Sequence, residues 1–237
     1  ERGDVQSIVS LISELATTRL SAYYDGIDPI KDIQVLTPVR KGTLGTASLN
    51  AQLQKMLNPP DSLKTEKKIG DRLFREGDKV MQTRNNYRIG WKKRCDFSEG
   101  QGVFNGDIGY IHNIDNDAGQ MTVIFDEDRF VNYEFGQLDE VELAYAMTVH
   151  KSQGSEFPIV VMPVSWFPPM LATRNLLYTA VTRGKKVVIL CGMQRRMEAM
   201  VDNNRIKLRF SGLKHRLRAL IGRSIIGSNT EALGNEI

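Results

Sequence analysis

The 237-residue sequence is poor in cysteine and in long apolar runs, and it lacks a loop able to cradle phosphates. Cys95 and Cys191 are its only cysteines, and the second falls in an apolar run that reads as a buried strand. A disulfide between them is not expected, and a reducing, cytoplasmic setting fits best. Runs such as Val187 to Cys191 are far too short to span a bilayer, so no membrane partner is expected. No basic-then-apolar signal segment opens the chain, and residue 1 is Glu, which suggests an expressed fragment or a trimmed chain. The pattern G-x-x-x-x-G-K-[ST] occurs nowhere: Gly42-Thr43-Leu44-Gly45-Thr46 lacks the lysine, and Gly184-Lys185-Lys186 runs into a strand. His112, His150 and His215 come without a Cys/His spacing, which argues against zinc. Repeats and low-complexity tracts are also missing.

What is present is an ordinary globular composition, 41% hydrophobic and 25% charged, with a formal charge of +4. That excludes collagen-like and wholly disordered chains. The length suits one core carrying an insertion, or two domains. Charge is sorted along the chain: residues 72–94 carry a net +6, residues 96–142 a net −11 and residues 195–223 a net +7. Two basic patches point weakly to a polyanion, against the plainer reading of solvated faces balancing an acidic one.

Hydrophobic spacing then sets the organisation. Val5, Ile8, Val9, Ile12, Leu15 and Ala16 recur at helical intervals behind Asp4 as N-cap, fading at Tyr23-Tyr24-Asp25-Gly26. Ile33 to Leu36 reads as a strand, and Leu49, Leu53, Met56 and Leu57 as a helix ended by Asn58-Pro59-Pro60. From about Gly70 to Val141 short runs at 79–82, 109–114, 121–125 and 131–135 alternate with turn residues, predicting an inserted antiparallel barrel. Asn105-Gly106 and Asp115-Asn116-Asp117 are its expected hairpin turns. Beyond it, Val141, Leu143, Tyr145, Met147 and Val149 alternate as one strand, Ile159 to Met162 is a second, and Thr173 to Arg183 is a helix with Leu176, Leu177, Ala180 and Val181 on one face. Gly184 is expected to stop that helix, with Val187 to Cys191 as another buried strand. The fold class is therefore α/β, a parallel sheet covered on both faces with a barrel inserted. Residues 227–237 have no periodicity and read as a frayed tail.

Two clusters carry candidate chemistry. The run Val123-Ile124-Phe125-Asp126-Glu127 imitates a Walker B strand, but it lies among hairpin strands and reads as barrel. The densest polar cluster, Thr148-Val149-His150-Lys151-Ser152-Gln153-Gly154-Ser155-Glu156-Phe157, sits between two strands, where loops of open α/β sheets bind ligands. Its hydroxyls, lysine and histidine suit phosphate, Gly154 permits close backbone approach, and Glu156 can accept from a ribose hydroxyl or a water; an ordinary capped connection is the alternative. Arg72, Arg84, Arg88, Lys92, Lys93 and Arg94, with Tyr87 and Trp91 as stacking groups, form a second candidate surface, for DNA or simply for solvent.

The polar cluster followed by an apolar strand resembles motif V of superfamily 1 helicases, and LLYTAVTRGKKVVIL at 176–190 resembles their motif VI. With LTPVRKGTLGTASLN at 36–50 and GVFNGDIGYI at 102–111, the sequence is similar to RecD-like DNA helicases, the branch that includes the exodeoxyribonuclease V alpha subunit, over about residues 1–222. The resemblance implies a second RecA-like motor lobe (1–68 and 142–223), an SH3-like barrel (69–141) and a flexible tail (224–237). It implies that ATP and Mg²⁺ are bound mainly by a first lobe outside this sequence, which explains the missing phosphate loop. Arg183 would reach the γ-phosphate, Gln153, Gly154 and Glu156 would face the nucleotide, and Thr148, His150, Lys151 and Arg40 would contact single-stranded DNA. The alternative for Arg183 is a cation in the last turn of a helix. Expected partners are single-stranded DNA, the first lobe and other exodeoxyribonuclease V subunits, and the expected polarity is 5′ to 3′. Without the first lobe the chain should not turn over ATP. Two rivals remain open: a non-enzymatic nucleic-acid or partner-binding module, and a RecA-like nucleotide enzyme unrelated to DNA.

Overall fold

A computed structural model describes residues 4–126, 128–204, 212, 216–218 and 220. The chain divides into a unit of residues 1–204 and a unit of residues 205–237. In the second, residues 216–218 and 220 are helical; the expected tail lies outside the described residues.

The first unit opens with α1 (Val5–Glu14), capped by Asp4, whose carboxylate accepts from the backbone N–H groups of Gln6 and Ser7. A π-helical stretch, Leu15–Arg19, joins it to α2 (Leu20–Tyr23). Here Thr17 and Thr18 donate back to the carbonyls of Ser13 and Glu14, competing with the helix ladder. Strand β1 (Ile33–Thr37) follows, then α3 (Thr46–Leu57), which ends at Asn58 before the two prolines. The chain next builds β2 (Glu66–Ile69) and β3 (Arg72–Arg75), a separate hairpin, and then β4 (Lys79–Gln82), β5 (Asn86–Lys93), β6 (Glu99–Val103), β7 (Ile108–Asp115), β8 (Gln120–Phe125), β9 (Arg129–Glu134) and β10 (Val141–Leu143). These last seven form one antiparallel sheet in the order β10-β4-β7-β8-β9-β5-β6. Its inward residues, among them Val80, Ile89, Val103, Ile111, Val123, Val131 and Val141, converge with Phe74 on a single core. Curling around one shared core is the barrel expected from the sequence. The Walker B look-alike is β8, paired on both sides inside this sheet.

The remaining elements are β11 (Ala146–Thr148), β12 (Phe157–Val164), α4 (Arg174–Val181), β13 (Gly184–Gly192) and α5 (Gln194–Asp202). With β1 they form a parallel sheet in the order β11-β1-β12-β13. One face packs on α1 and α3 through Ile8, Ile12, Leu49 and Leu53, the other on α4 and α5 through Leu176, Leu177, Ala180 and Met200. The two-sided α/β architecture is thus as expected. Both cysteines are free; burial pushes the Cys191 thiol up to about 11.

Four local expectations are corrected. The alternation from Val141 to Val149 is two strands: β10 pairs with β4 in the barrel, whereas β11 pairs with β1 in the parallel sheet. The chain changes sheets at Ala144-Tyr145, where Gln34 Nε2 donates to both carbonyls and Asn50 holds the N–H and C=O of Ala146. Buried amides thus satisfy the backbone groups the switch exposes. Asn105-Gly106 is not a hairpin turn, since β6 and β7 do not pair with each other; only Gly106 has positive φ, in a turn closed by Asp107 N–H to the Phe104 carbonyl. Gly184 begins β13 rather than stopping α4, which ends at Val181 with Thr182 as its C-cap. β13 itself is the edge of the parallel sheet, so Val187 to Leu190 are half-buried, and Val181 on α4 is exposed.

Candidate functional site

Strands β11, β1 and β12 lie side by side and parallel, so their carboxyl ends open on one edge of the sheet. The segments that leave those ends enclose a cleft of about 1010 Å³. After β1 come Arg40 and Lys41, after β11 His150 and Gln153, and after β12 Trp166 and Phe167. Among the described residues no Asp or Glu lines it. Arg40 and Lys41 therefore face a space without a carboxylate among the described residues, which favours an anion.

The β1 segment is folded back tightly. Thr37 Oγ donates to the Leu44 carbonyl at 2.7 Å, Gly45 N–H to Gly42 and Thr46 N–H to Val39. A Cβ on Gly45 would lie 2.5 Å from the Arg40 carbonyl oxygen, so only glycine lets the chain close here and hold Arg40 at the cleft. Arg40 is exposed and has no ion-pair partner among the described residues. Lys151 is different: its Nζ sits 2.9 Å from Glu142 and its side chain is only 16% exposed. Part of its charge is thus already balanced.

From Thr148 the chain turns at once. The N–H groups of Lys151 and Ser152 both donate to the Thr148 carbonyl, and buried Ser152 returns a hydroxyl bond to Val149. Gly154, at φ +91°, then reverses the path. Residues 149–156 leave the carboxyl end of β11 and deliver the chain to the amino end of β12, which lies beyond β1. There the loop meets Arg183: its Nη1 donates to the Ser155 carbonyl at 3.1 Å, and its own carbonyl accepts from Phe157 N–H at 2.8 Å. Glu156 is exposed, 3.6 Å from Lys185.

Arg183 follows the last turn of α4. Its Nε donates to the Thr179 carbonyl and its Nη2 to Thr182 Oγ, and among the described residues no carboxylate pairs with it. The contact with Thr179 is the helix-end contact of a simple capping cation. The bond to Ser155 goes further, since it ties that helix end to the loop. The candidate residues therefore separate into two groups at opposite ends of one loop. Arg40, Thr148, His150, Lys151 and Gln153 line the cleft; Ser155 and Glu156 lie with Arg183 and Lys185. Gln153, which the resemblance groups with Gly154 and Glu156, is among the residues that line the cleft.

The second candidate surface is largely committed to the barrel's own structure. Arg84 pairs with Asp139, Lys92 with Glu99, Arg72 donates to the Val141 carbonyl, and Arg94 lies over Phe130. Trp91 packs on Gly100, where a Cβ would lie 2.3 Å from its ring, whereas Tyr87 is 67% exposed and meets Phe104 edge-on. Two of the cleft residues that the sequence did not mark as functional are Asn105 and Trp166. Asn105 reaches the cleft from the barrel. Trp166, 70% exposed, stands immediately after β12, and an indole ahead of Phe-Pro-Pro was the available signal.

Known proteins match both sheets. The family described as ATP-dependent RecD-like DNA helicase SH3 domain matches residues 49–125, and the UvrD-like helicase C-terminal domain matches residues 143–191. The ATP-dependent RecD2 DNA helicase of Deinococcus radiodurans is 33% identical over 187 residues, 79% of this chain and 24% of that protein. The RecBCD enzyme subunit RecD of Mycolicibacterium smegmatis is 29% identical over 197 residues, 82% of this chain and 31% of that protein. Among solved structures, Bacteroides Pif1 bound to ssDNA aligns with 93% of this chain and 53% of its own, at 16% identity and a TM-score of 0.47. The chain thus spans between 24% and 31% of the length of these two curated relatives. The first match runs from α3 into the barrel as far as β8, and the second takes in β11, the polar loop, β12, α4 and β13. Barrel and loop-bearing sheet together make the chain a member of the RecD-like superfamily 1 helicases, matching their C-terminal region.

Proposed function

We propose that the chain is the second motor lobe, residues 1–68 and 142–223 with the barrel at 69–141, of an ATP-dependent helicase moving 5′ to 3′ on single-stranded DNA. In this reading Thr148, His150, Lys151 and Arg40 hold the strand's phosphates. Gly154 and Glu156 face the nucleotide, Gln153, which the resemblance groups with them, stands at the cleft end of the same loop, and Arg183 stabilises charge on the transferred phosphoryl group. Such an arginine can supply about 10³-fold or more. Bound ATP supplies the hydrolysis that drives movement. Arg183 fits a phosphate neighbour because among the described residues its guanidinium has no carboxylate partner and is held by two carbonyls and a hydroxyl. The sequence contains no phosphate-cradling G-x-x-x-x-G-K-[ST] loop, so the main binding of ATP and Mg²⁺ is assigned to a first lobe. That lobe and other exodeoxyribonuclease V subunits are the proposed protein partners.

The observation that carries this reading is the loop of residues 149–156, which begins at an acid-free cleft and ends hydrogen-bonded to Arg183. A short rigid link between two ligand sites is what coupling of grip to hydrolysis requires. The test uses the full-length protein carrying this chain. Arg183→Ala should lower kcat for ATP by about 10³-fold with DNA affinity unchanged. Thr148→Ala should weaken DNA several-fold, Glu156→Ala should impair ATP turnover, and both should lower DNA-stimulated ATPase. If Arg183→Ala loses stability yet keeps normal turnover, the capping role is the whole role. If the two loop variants keep full DNA-stimulated activity, the passive binding module replaces the motor.

A further inference from the structure

Trp166 leaves the carboxyl end of β12 on the rim of the cleft, and 70% of its surface is open to solvent. A large apolar ring exposed to this degree is expensive, and this one is not loose. The Arg196 guanidinium, from α5, lies 3.8 Å from its ring centroid. Arg196 has no ion-pair partner among the described residues, and its buried Nε has no hydrogen-bond partner there, so the indole is its principal neighbour. Behind the ring, Phe167 is buried and Pro168 fixes the following backbone. A ring braced on one face by a cation, with the rest of its surface free, is a platform prepared for a second planar group.

The cleft says which kind of planar group. Arg40, Lys41 and His150 line it without any carboxylate among the described residues, so the occupant is an anion as well as a ring bearer. Single-stranded nucleic acid offers both at nucleotide spacing. We infer that Trp166 is a base-stacking platform, one nucleobase resting on the indole while the adjoining phosphates lie against Arg40 and Lys41. This rests on the reading of the cleft as the DNA path. It adds that the path grips a base as well as the backbone, with little preference for sequence, because every base presents a π face.

The test compares two fluorescent oligonucleotides of equal length, one of thymidines and one of abasic residues, which carry the same phosphates. Binding to the 237-residue chain is read by anisotropy. The wild type should bind the thymidine strand about 5- to 150-fold more tightly, the range of one stacked base. Trp166→Ala should lose most of that preference and leave abasic binding unchanged; Trp166→Phe should keep most of it. Equal loss on both strands, or no loss on either, overturns the stacking role; in the second case the indole is free to serve a protein partner instead. Arg40→Ala with Lys41→Ala probes the underlying reading separately, since it should weaken both strands alike. If that double variant changes neither affinity, the cleft is not the DNA path and the inference falls with it. Circular dichroism melts of each variant establish that the fold is retained.

Discussion

Lys79 on β4 is 1% exposed, and its Nζ reaches only the carbonyls of Lys31 and Ile33, each at 3.4 Å. It sits where the barrel meets the amino ends of β1 and β12, with Phe157 beside it. Burial lowers its ammonium from 10.5 to about 7, against the pull of Asp28 and Asp32. Between those two values the unfolded chain holds a proton that the folded chain releases, so stability rises with pH across that window. At about 1.4 kcal/mol per pH unit the penalty at neutral pH is at most about 5 kcal/mol. Lys79→Met keeps the length and removes the charge, and gives up two weak contacts costing about 1 kcal/mol each. The variant should therefore be more stable than the wild type at pH 7 by roughly 2 to 3 kcal/mol. Towards pH 10 the advantage should vanish and reverse by about 1 kcal/mol. Urea melts of both proteins at pH 7, 8, 9 and 10 measure this, and every other titrating group cancels in the difference. A gap that stays constant with pH would refute the reasoning, because Lys79 would then be charged in the folded state throughout.

Asp78, buried at the base of the same strand, accepts from Gln54, Asn58, Arg75 N–H and Tyr145 OH, and burial raises its carboxyl above the usual range against those donors. Tyr145→Phe removes a 2.9 Å bond to a carboxylate and should cost about 1.5–3 kcal/mol in a urea melt; a loss below about 0.5 kcal/mol would mean the other three donors suffice. Gly45→Ala forces a Cβ to 2.5 Å from the Arg40 carbonyl. It should cost about 1–3 kcal/mol and weaken single-stranded DNA binding, whereas unchanged affinity would detach Arg40 from the DNA path.

The elements that alternation or helical spacing writes plainly were legible: α1 behind Asp4, β1, α3 ahead of its two prolines, and β12. Strands β5 and β6 were not, because only Ile89 along β5 and the last two residues of β6 are buried, so polar residues and glycines hide the period. The split of residues 141–149 was hidden for a different reason. An alternating run reports that every second residue faces a core, not which core, and here Val141 faces the barrel while Tyr145 and Ala146 face the helices of the parallel sheet. The signal for the switch was distributed over Gln34 and Asn50, more than 90 positions away, whose amides satisfy the backbone at the crossing.

The candidate site divides along the same line. Residues carried by one contiguous motif, Thr148 to Glu156, could be named from the sequence, because local chemistry is written locally. What the sequence could not convey is that the loop's two ends belong to opposite ends of a parallel sheet. That follows from β11 and β12 flanking β1, a fact of strand order alone. The same order brings Arg40, Gln153, Asn105 and Trp166 to one cleft from four separate segments and leaves Arg183 at the other end. The cleft and Arg183 are therefore linked by eight residues of backbone and the hydrogen bond from Arg183 to the Ser155 carbonyl, and in the motor reading a change in how either end is filled has that path to the other.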